Sequence, residues 1–171
     1  RPDGRQADAK NQVKNRLRFQ SFDDSFVAKE QYAYLMDAPD NHSSAANYAM
    51  GVPAMAALDN GCLLVLEREF LVTPSKFGSY VANKIYCVDP IQSMTISQDK
   101  VLDTGSPYMK KVLIATWKTS LSLFHQNLAN YEGMCLGPRL MDGSQVIVLC
   151  ADSQDQYGGV LRDWFRTVVI R

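Results

Sequence analysis

Two stretches constrain this chain more than anything else in it, and each reads as a hairpin. In the first, Met55-Ala56-Ala57-Leu58 runs into Asp59-Asn60-Gly61 and then Cys62-Leu63-Leu64-Val65-Leu66-Glu67. In the second, residues 132–137 run through Met141-Asp142-Gly143 into Val146-Ile147-Val148-Leu149-Cys150. Asn-Gly supplies the positive φ angles that a tight primed turn requires. The second strand of each hairpin does not alternate apolar with polar residues, so burial on both faces is expected. Antiparallel sheets normally leave one face to water. Repeated hairpins covered on both sides are what β-propeller blades provide by stacking face to face.

The remaining pattern is short strands and turns, and it reads as all-β. Strands are expected at 16–22, 31–36, 80–88, 109–117 and 163–170, with a polar, small-residue loop at 37–51. Residues 119–128 fit one short helix capped by Thr119 or Ser120. The two hairpins repeat at ~80 residues, against ~40–50 for an ordinary blade, and long insertions at 71–79 and 89–108 account for the excess. The expectation is a partial propeller of about two and a half blades, since closure takes ~4–8. On this reading residues 1–171 are the C-terminal part of a single propeller domain, with 1–15 a polar lead-in. The remaining blades would come from the same gene product or a second chain. A small self-contained β-sandwich is the alternative.

Composition narrows the function classes. Eighteen Lys and Arg balance eighteen Asp and Glu over 171 residues, so no single-sign field gathers nucleic acid. No apolar run approaches the ~20 residues of a membrane-spanning helix. The chain opens on Arg1-Pro2-Asp3-Gly4 without Met or an apolar leader, which reads as a start inside a longer frame or after processing. Arg1, Arg5, Lys10, Lys14, Arg16 and Arg18 crowd the first residues, but without interleaved aromatics they read as a solvated segment rather than a nucleic-acid arm. Cys62, Cys87, Cys135 and Cys150 form no C-x-x-C pair, which leaves zinc and thioredoxin-like chemistry without support. Free thiols acting as small hydrophobes are the main expectation, with one disulfide as the alternative.

Two segments resemble a known family. Asn130-Tyr131-Glu132-Gly133-Met134-Cys135-Leu136-Gly137-Pro138-Arg139-Leu140-Met141-Asp142-Gly143 is similar to the N-x-E-G-M-x-L-G-P-R-L-x-D-G segment of the phytase-like family, described as the esterase-like activity of phytase. Ala57 to Phe70 resembles that family's A-L-x-x-G-x-L-L-V-L-E-R-x-F. Arg16–Phe22, Tyr32–Met36 and Asp152 fit the flanking pattern, so the likeness runs from about residue 16 to the end. The family tends to carry a Glu in the strand before the first turn, where this chain has Val52-Pro53-Ala54-Met55. The resemblance implies a bacterial, extracytoplasmic propeller, secreted, periplasmic or surface-attached. It implies hydrolysis of a small ester or phosphoester ligand, with Ca²⁺ as cofactor.

The residues offer their own chemistry. No G-x-S-x-G elbow is present, and the two histidines, His42 and His125, sit in a polar loop and in the expected helix, which disfavours a serine esterase. Carboxylates are the better candidates. Glu132 and Glu67 are the expected catalytic groups. Glu132, Glu67, Glu69 and Asp152, read as residues at strand ends, are the expected ligands of a hard cation that would activate water or clamp a phosphate. Arg68 and Arg139 are the expected phosphate-binding forks, with salt bridges to those same acids as the plainer role. Trp117 and Trp164 read as inter-sheet packing, and the Asn41-His42-Ser43 sequon carries no weight. Two classes remain, a metal-assisted hydrolase and a propeller that binds a ligand or protein partner without turnover.

Overall fold

The computed structural model describes residues 16–40, 47–155 and 159–171. Their secondary structure is ten β-strands with no α-helix among the described residues. These are β1 (Arg16–Phe22), β2 (Ala28–Leu35), β3 (Asn47–Ala57), β4 (Leu63–Val72), β5 (Tyr80–Val88), β6 (Thr95–Ile96), β7 (Lys111–Ser120), β8 (Tyr131–Arg139), β9 (Gln145–Ala151) and β10 (Phe165–Ile170). They form three antiparallel sheets, ordered β1-β2-β6, β3-β4-β5-β7 and β10-β9-β8. No described helix is long and apolar enough to cross a membrane.

The four-stranded sheet lies between the other two. Leu17, Phe19, Tyr32 and Tyr34 of the first sheet meet Met50, Val65 and Val88 on one side. Leu64, Leu66 and Ile85 meet Tyr131, Ile147 and Leu149 of the third sheet on the other. β4 is thus covered on both faces, as its unbroken apolar run requires. β9 behaves differently. Ile147 and Leu149 are buried, whereas Val146 and Val148 are half-buried and Cys150 is exposed, because nothing described covers the outward face of the third sheet. That face also carries Phe165, 80% exposed, and Val169, 52% exposed. The outward face of the first sheet is polar, with Arg18 donating to Gln31 Oε1 (2.8 Å) and Gln31 donating to Gln20 Oε1 (2.8 Å).

Both hairpin turns use one geometry, and it is not the primed turn expected. Gly61 N–H donates to Leu58 O (3.0 Å), Leu58 N–H donates to Cys62 O (2.8 Å), and of the three turn residues only Gly61 has positive φ, at 84°. The second hairpin repeats this with Gly143 to Leu140 O (2.9 Å), Leu140 to Ser144 O (2.8 Å) and Gly143 at φ 84°. This is the three-residue turn closed by a left-handed glycine bulge, so one positive φ suffices.

Two further expectations are corrected. The helix at 119–128 does not form. β7 runs to Ser120, and Leu121 bridges Gln126. Polar side chains take the backbone groups a helix would need. Thr119 Oγ1 bonds the Ala129 carbonyl and N–H (both 3.1 Å), Asn127 Oδ1 accepts from Ser120 N–H (3.0 Å), and Ser122 Oγ accepts from His125 N–H (3.0 Å). The loop expected at 37–51 is shorter, because β3 begins at Asn47. The β3–β4 register slips between Gly51 and Ala54, around Pro53, which has no N–H for the ladder. The sequon, His42 and most of the basic lead-in lie outside the described residues.

Leu66 is fully buried between the second and third sheets. Leu66→Ala is expected to lower the unfolding free energy by about 3 kcal/mol in urea denaturation. Gly143→Ala should cost about 1–2 kcal/mol through its left-handed backbone alone, since nothing lies near the added methyl.

Candidate functional site

The centre of β4 reads Glu67-Arg68-Glu69, three charges in a strand with no wet face. Strand alternation sends Glu67 and Glu69 toward the first sheet and Arg68 toward the third. Glu67 is 4% exposed and Glu69 6%. Both acids therefore sit in mid-strand, not at strand ends as expected. Burying a carboxylate is tolerable only with charge partners and hydrogen bonds.

Around Glu67 those partners are complete. Its carboxylate accepts from Tyr34 Oη (2.6 Å), Lys111 Nζ (2.6 Å) and the Asp37 N–H (3.0 Å). Asp37, just past β2, accepts from Lys84 Nζ (2.6 Å), Lys111 Nζ (2.7 Å) and Tyr86 Oη (2.7 Å). Lys84 stands opposite Glu67 in the β4–β5 register. Lys111 bridges both carboxylates and lies over the Tyr86 ring, 4.1 Å from its centroid. Glu69 accepts from Tyr48 Oη (2.9 Å), Tyr80 Oη (3.3 Å) and the Asp40 N–H (2.9 Å). A small cleft opens onto this cluster, lined by Asp37, Met50, Glu67, Glu69 and Lys84 among others.

Protonation states follow from these contacts. Burial works against ionising Asp37, but hydrogen bonds from Lys111, Lys84 and Tyr86 outweigh it and hold the carboxyl well below the usual range. Burial works against the Lys84 ammonium, and Asp37 more than restores it, so its pKa is raised. Burial, then the neighbouring carboxylates, pushes the Tyr34, Tyr48, Tyr80 and Tyr86 hydroxyls upward, so they serve as donors at neutral pH. The cleft is lined by the acids Asp37, Glu67 and Glu69 and by Lys84, and each tyrosine hydroxyl beside it already donates to one of those acids. Lys84, which spends one N–H on Asp37, is the side chain there that can meet a small polar group.

The other predicted residues lie elsewhere. Arg68 Nη1 donates to Glu132 Oε1 (2.6 Å) and to Asn130 Oδ1, and Asn130 Nδ2 donates to the same Glu132 oxygen (2.8 Å). This ties the two family-like motifs together across the second and third sheets. Burial depresses the Arg68 pKa, and Glu132 partly offsets that. Glu132 thus lies on the opposite face of β4 from Glu67. Arg139 pairs with Asp59 (2.7 Å) at the exposed turn end, joining the two hairpin turns. Asp152 closes a local turn by accepting from Gln154 N–H (2.7 Å). His125 is exposed in the loop before β8. Trp117 packs edge-on against Tyr131 between the sheets (5.6 Å), as expected, while Trp164 is 42% exposed.

Calcium binding needs several oxygens around one point. Among the described residues no three His, Cys, Asp or Glu side chains are grouped to hold an ion. Glu67, Glu69, Glu132 and Asp152 do not converge, and lysine ammonium groups already stand on the Glu67–Asp37 pair. As placed, these residues do not fit a calcium site.

Sequence reasoning reached Glu67 and Glu69 but missed Asp37, Lys84, Lys111 and the four tyrosines. The available signal was Lys84, a cation inside the apolar strand YVANKIYCV, which needs a carboxylate from its neighbour strand.

Removing Lys111 leaves Glu67 buried without its counter-ion. Lys111→Met is expected to cost about 3–5 kcal/mol in denaturant unfolding at pH 7. Asp37, with its folded-state pKa depressed, contributes stability above its unfolded pKa of about 4 and loses that contribution as pH falls below it. The stability gap between the native chain and Asp37→Asn should therefore be widest near pH 7 and shrink steadily below about pH 4. Denaturant midpoints across pH check this.

A family model described as Phytase-like, esterase-like activity of phytase, matches residues 3–154. No curated protein and no solved structure matches the chain.

Proposed function

Because the chain belongs to the phytase-like family, a β-propeller family, we propose that it forms part of a propeller hydrolase acting on ester or phosphoester bonds. The carrying observation is the charged cleft between the first and second sheets. Lys84 lines that cleft and offers positive charge to a phosphate or a developing oxyanion, with Lys111 behind it between Asp37 and Glu67. Asp37 holds both ammonium groups in place, Glu67 holds Lys111, and the tyrosine hydroxyls fix the carboxylates. Arg68 and Glu132 act as a clamp between sheets in this reading, away from the reacting bond.

The three sheets are read as blades, about two and a half in number by strand count. Further blades would cover the bare face of the third sheet. An extracytoplasmic site of action accompanies this reading. The metal-assisted form of the reaction has carboxylates to draw on, but not at one point, so calcium enters as an arm of the test.

A second reading is favoured by a specific observation. Glu67 and Asp37 already accept three hydrogen bonds each from the protein, which suits a preformed binding surface without turnover. The test is hydrolysis of aryl esters and phosphoesters by the full-length gene product, in calcium and in EDTA. Turnover is expected to fall at least tenfold in Lys84→Met, with Arg139→Ala unchanged. Turnover lost in EDTA would give the hydrolysis to a metal held elsewhere in the propeller. A folded protein with no turnover in either condition would leave the binding reading.

A further inference from the structure

The face of the second sheet that meets the third carries one polar row among apolar ones. Arg68 stands opposite Asn83 in the β4–β5 register, and Asn83 stands opposite Trp117 in the β5–β7 register. Directly opposed residues point to the same side of a sheet with Cβ atoms ~4.5–5.5 Å apart, so the three side chains lie abreast. On one flank the next row is Leu66, Ile85 and Ala115, and on the other Phe70 opposes Val81. The third sheet closes over the polar row. Glu132 accepts from Arg68 Nη1 (2.6 Å), the Tyr131 ring meets Trp117 edge-on (5.6 Å), and the Arg166 guanidinium lies 5.0 Å from the Trp117 ring centre. Asn83, the middle member, is 0% exposed.

Each member of the row holds one buried polar atom that no protein group among the described residues meets. These atoms are Arg68 Nε, Asn83 Oδ1 and Trp117 Nε1. The Asn83 amide is oriented by its other end, because Nδ2 donates to the Val81 carbonyl (3.3 Å), where an oxygen would face a second acceptor. The row therefore reads donor, acceptor, donor. A buried polar group left without a partner costs more than a made hydrogen bond returns. An anion would be repelled by Asn83 Oδ1 and the Glu132 carboxylate, and a cation by the Arg68 guanidinium. A small neutral molecule that both donates and accepts matches the set, and buried waters take ~3 hydrogen bonds from groups of this kind. We propose that the Arg68–Asn83–Trp117 row is an internal water site sealed between the second and third sheets. Its water donates to Asn83 Oδ1 and accepts from at least one of the two flanking N–H groups. It lies on the opposite face of β4 from the charged cleft, beneath the Arg68–Glu132 contact that joins the two family-like motifs.

The test is a pair of high-resolution crystal structures of the full-length gene product, native and Asn83→Leu. Leucine keeps the volume of the asparagine and removes the acceptor. The native density should show a solvent peak about 3 Å from Asn83 Oδ1 and at hydrogen-bond distance from Arg68 Nε or Trp117 Nε1. In Asn83→Leu that peak should be lost. In solution, relaxation dispersion of water oxygen should count at least one fewer long-lived water in the variant than in the native protein. A direct hydrogen bond from Arg68 or Trp117 to Asn83, no solvent density beside the native amide, or a peak that persists in Asn83→Leu would overturn the proposal. Equal counts of long-lived water would do the same. If Asn83→Leu fails to fold, the native density decides alone.

Discussion

A strand covered on both faces has no water available to its polar groups, and β4 carries Glu67, Arg68 and Glu69 in succession at its centre. An uncompensated buried charge costs several kcal/mol, comparable to the whole stability of a domain. Each of the three must therefore be met by a partner from a neighbouring element. That requirement determines much of what lies around the strand. Lys84, Lys111, Tyr34 and the Asp37 amide collect on one side because Glu67 points there. Asn130 and Glu132 collect on the other because Arg68 points there.

The two solutions differ in kind. Arg68 is met across the second and third sheets by one acid and one amide, an arrangement that fixes how those sheets sit together. Glu67 and Glu69 are met by many donors, several of them tyrosines whose rings add to the apolar core while their hydroxyls reach the charge. Lys111 serves two carboxylates at once and rests on an aromatic face. The cluster therefore sets three acids, Asp37, Glu67 and Glu69, against two lysines, Lys84 and Lys111. Such a site discriminates by geometry more than by long-range attraction.

Much of the architecture was legible. The absence of alternation in Leu63–Leu66 and in Val146–Leu149 pointed to strands covered on both sides, and the strand positions followed from it. β4 fulfils this fully, and β9 on one face only. The turn type was misread because Asn-Gly serves two hairpin geometries, and only the hydrogen bonds to Leu58 and Leu140 separate them. The helix at 119–128 was misread because Ser, Thr and Asn side chains can either cap a helix or replace its backbone bonds. At the cleft, Glu67 was found by residue type. Asp37 and Lys111 were not, because they reach it from segments 30 and 44 residues distant in sequence. Pairings across sheets have no periodicity to read. Glu132 and Arg68 were legible as a salt bridge, the plainer of the two roles considered for them.

The stack of sheets has chemically unlike ends. The outward face of the first sheet is a network of arginine and glutamine side chains, and that of the third is bare valine, phenylalanine and cysteine. Fibrous self-association needs a surface that accepts a fresh copy each time one is added. Among the described residues only one of the two faces is apolar. In the propeller reading a further blade packs there; were that face left uncovered, two copies meeting through it would leave polar faces outward, and apolar growth would stop.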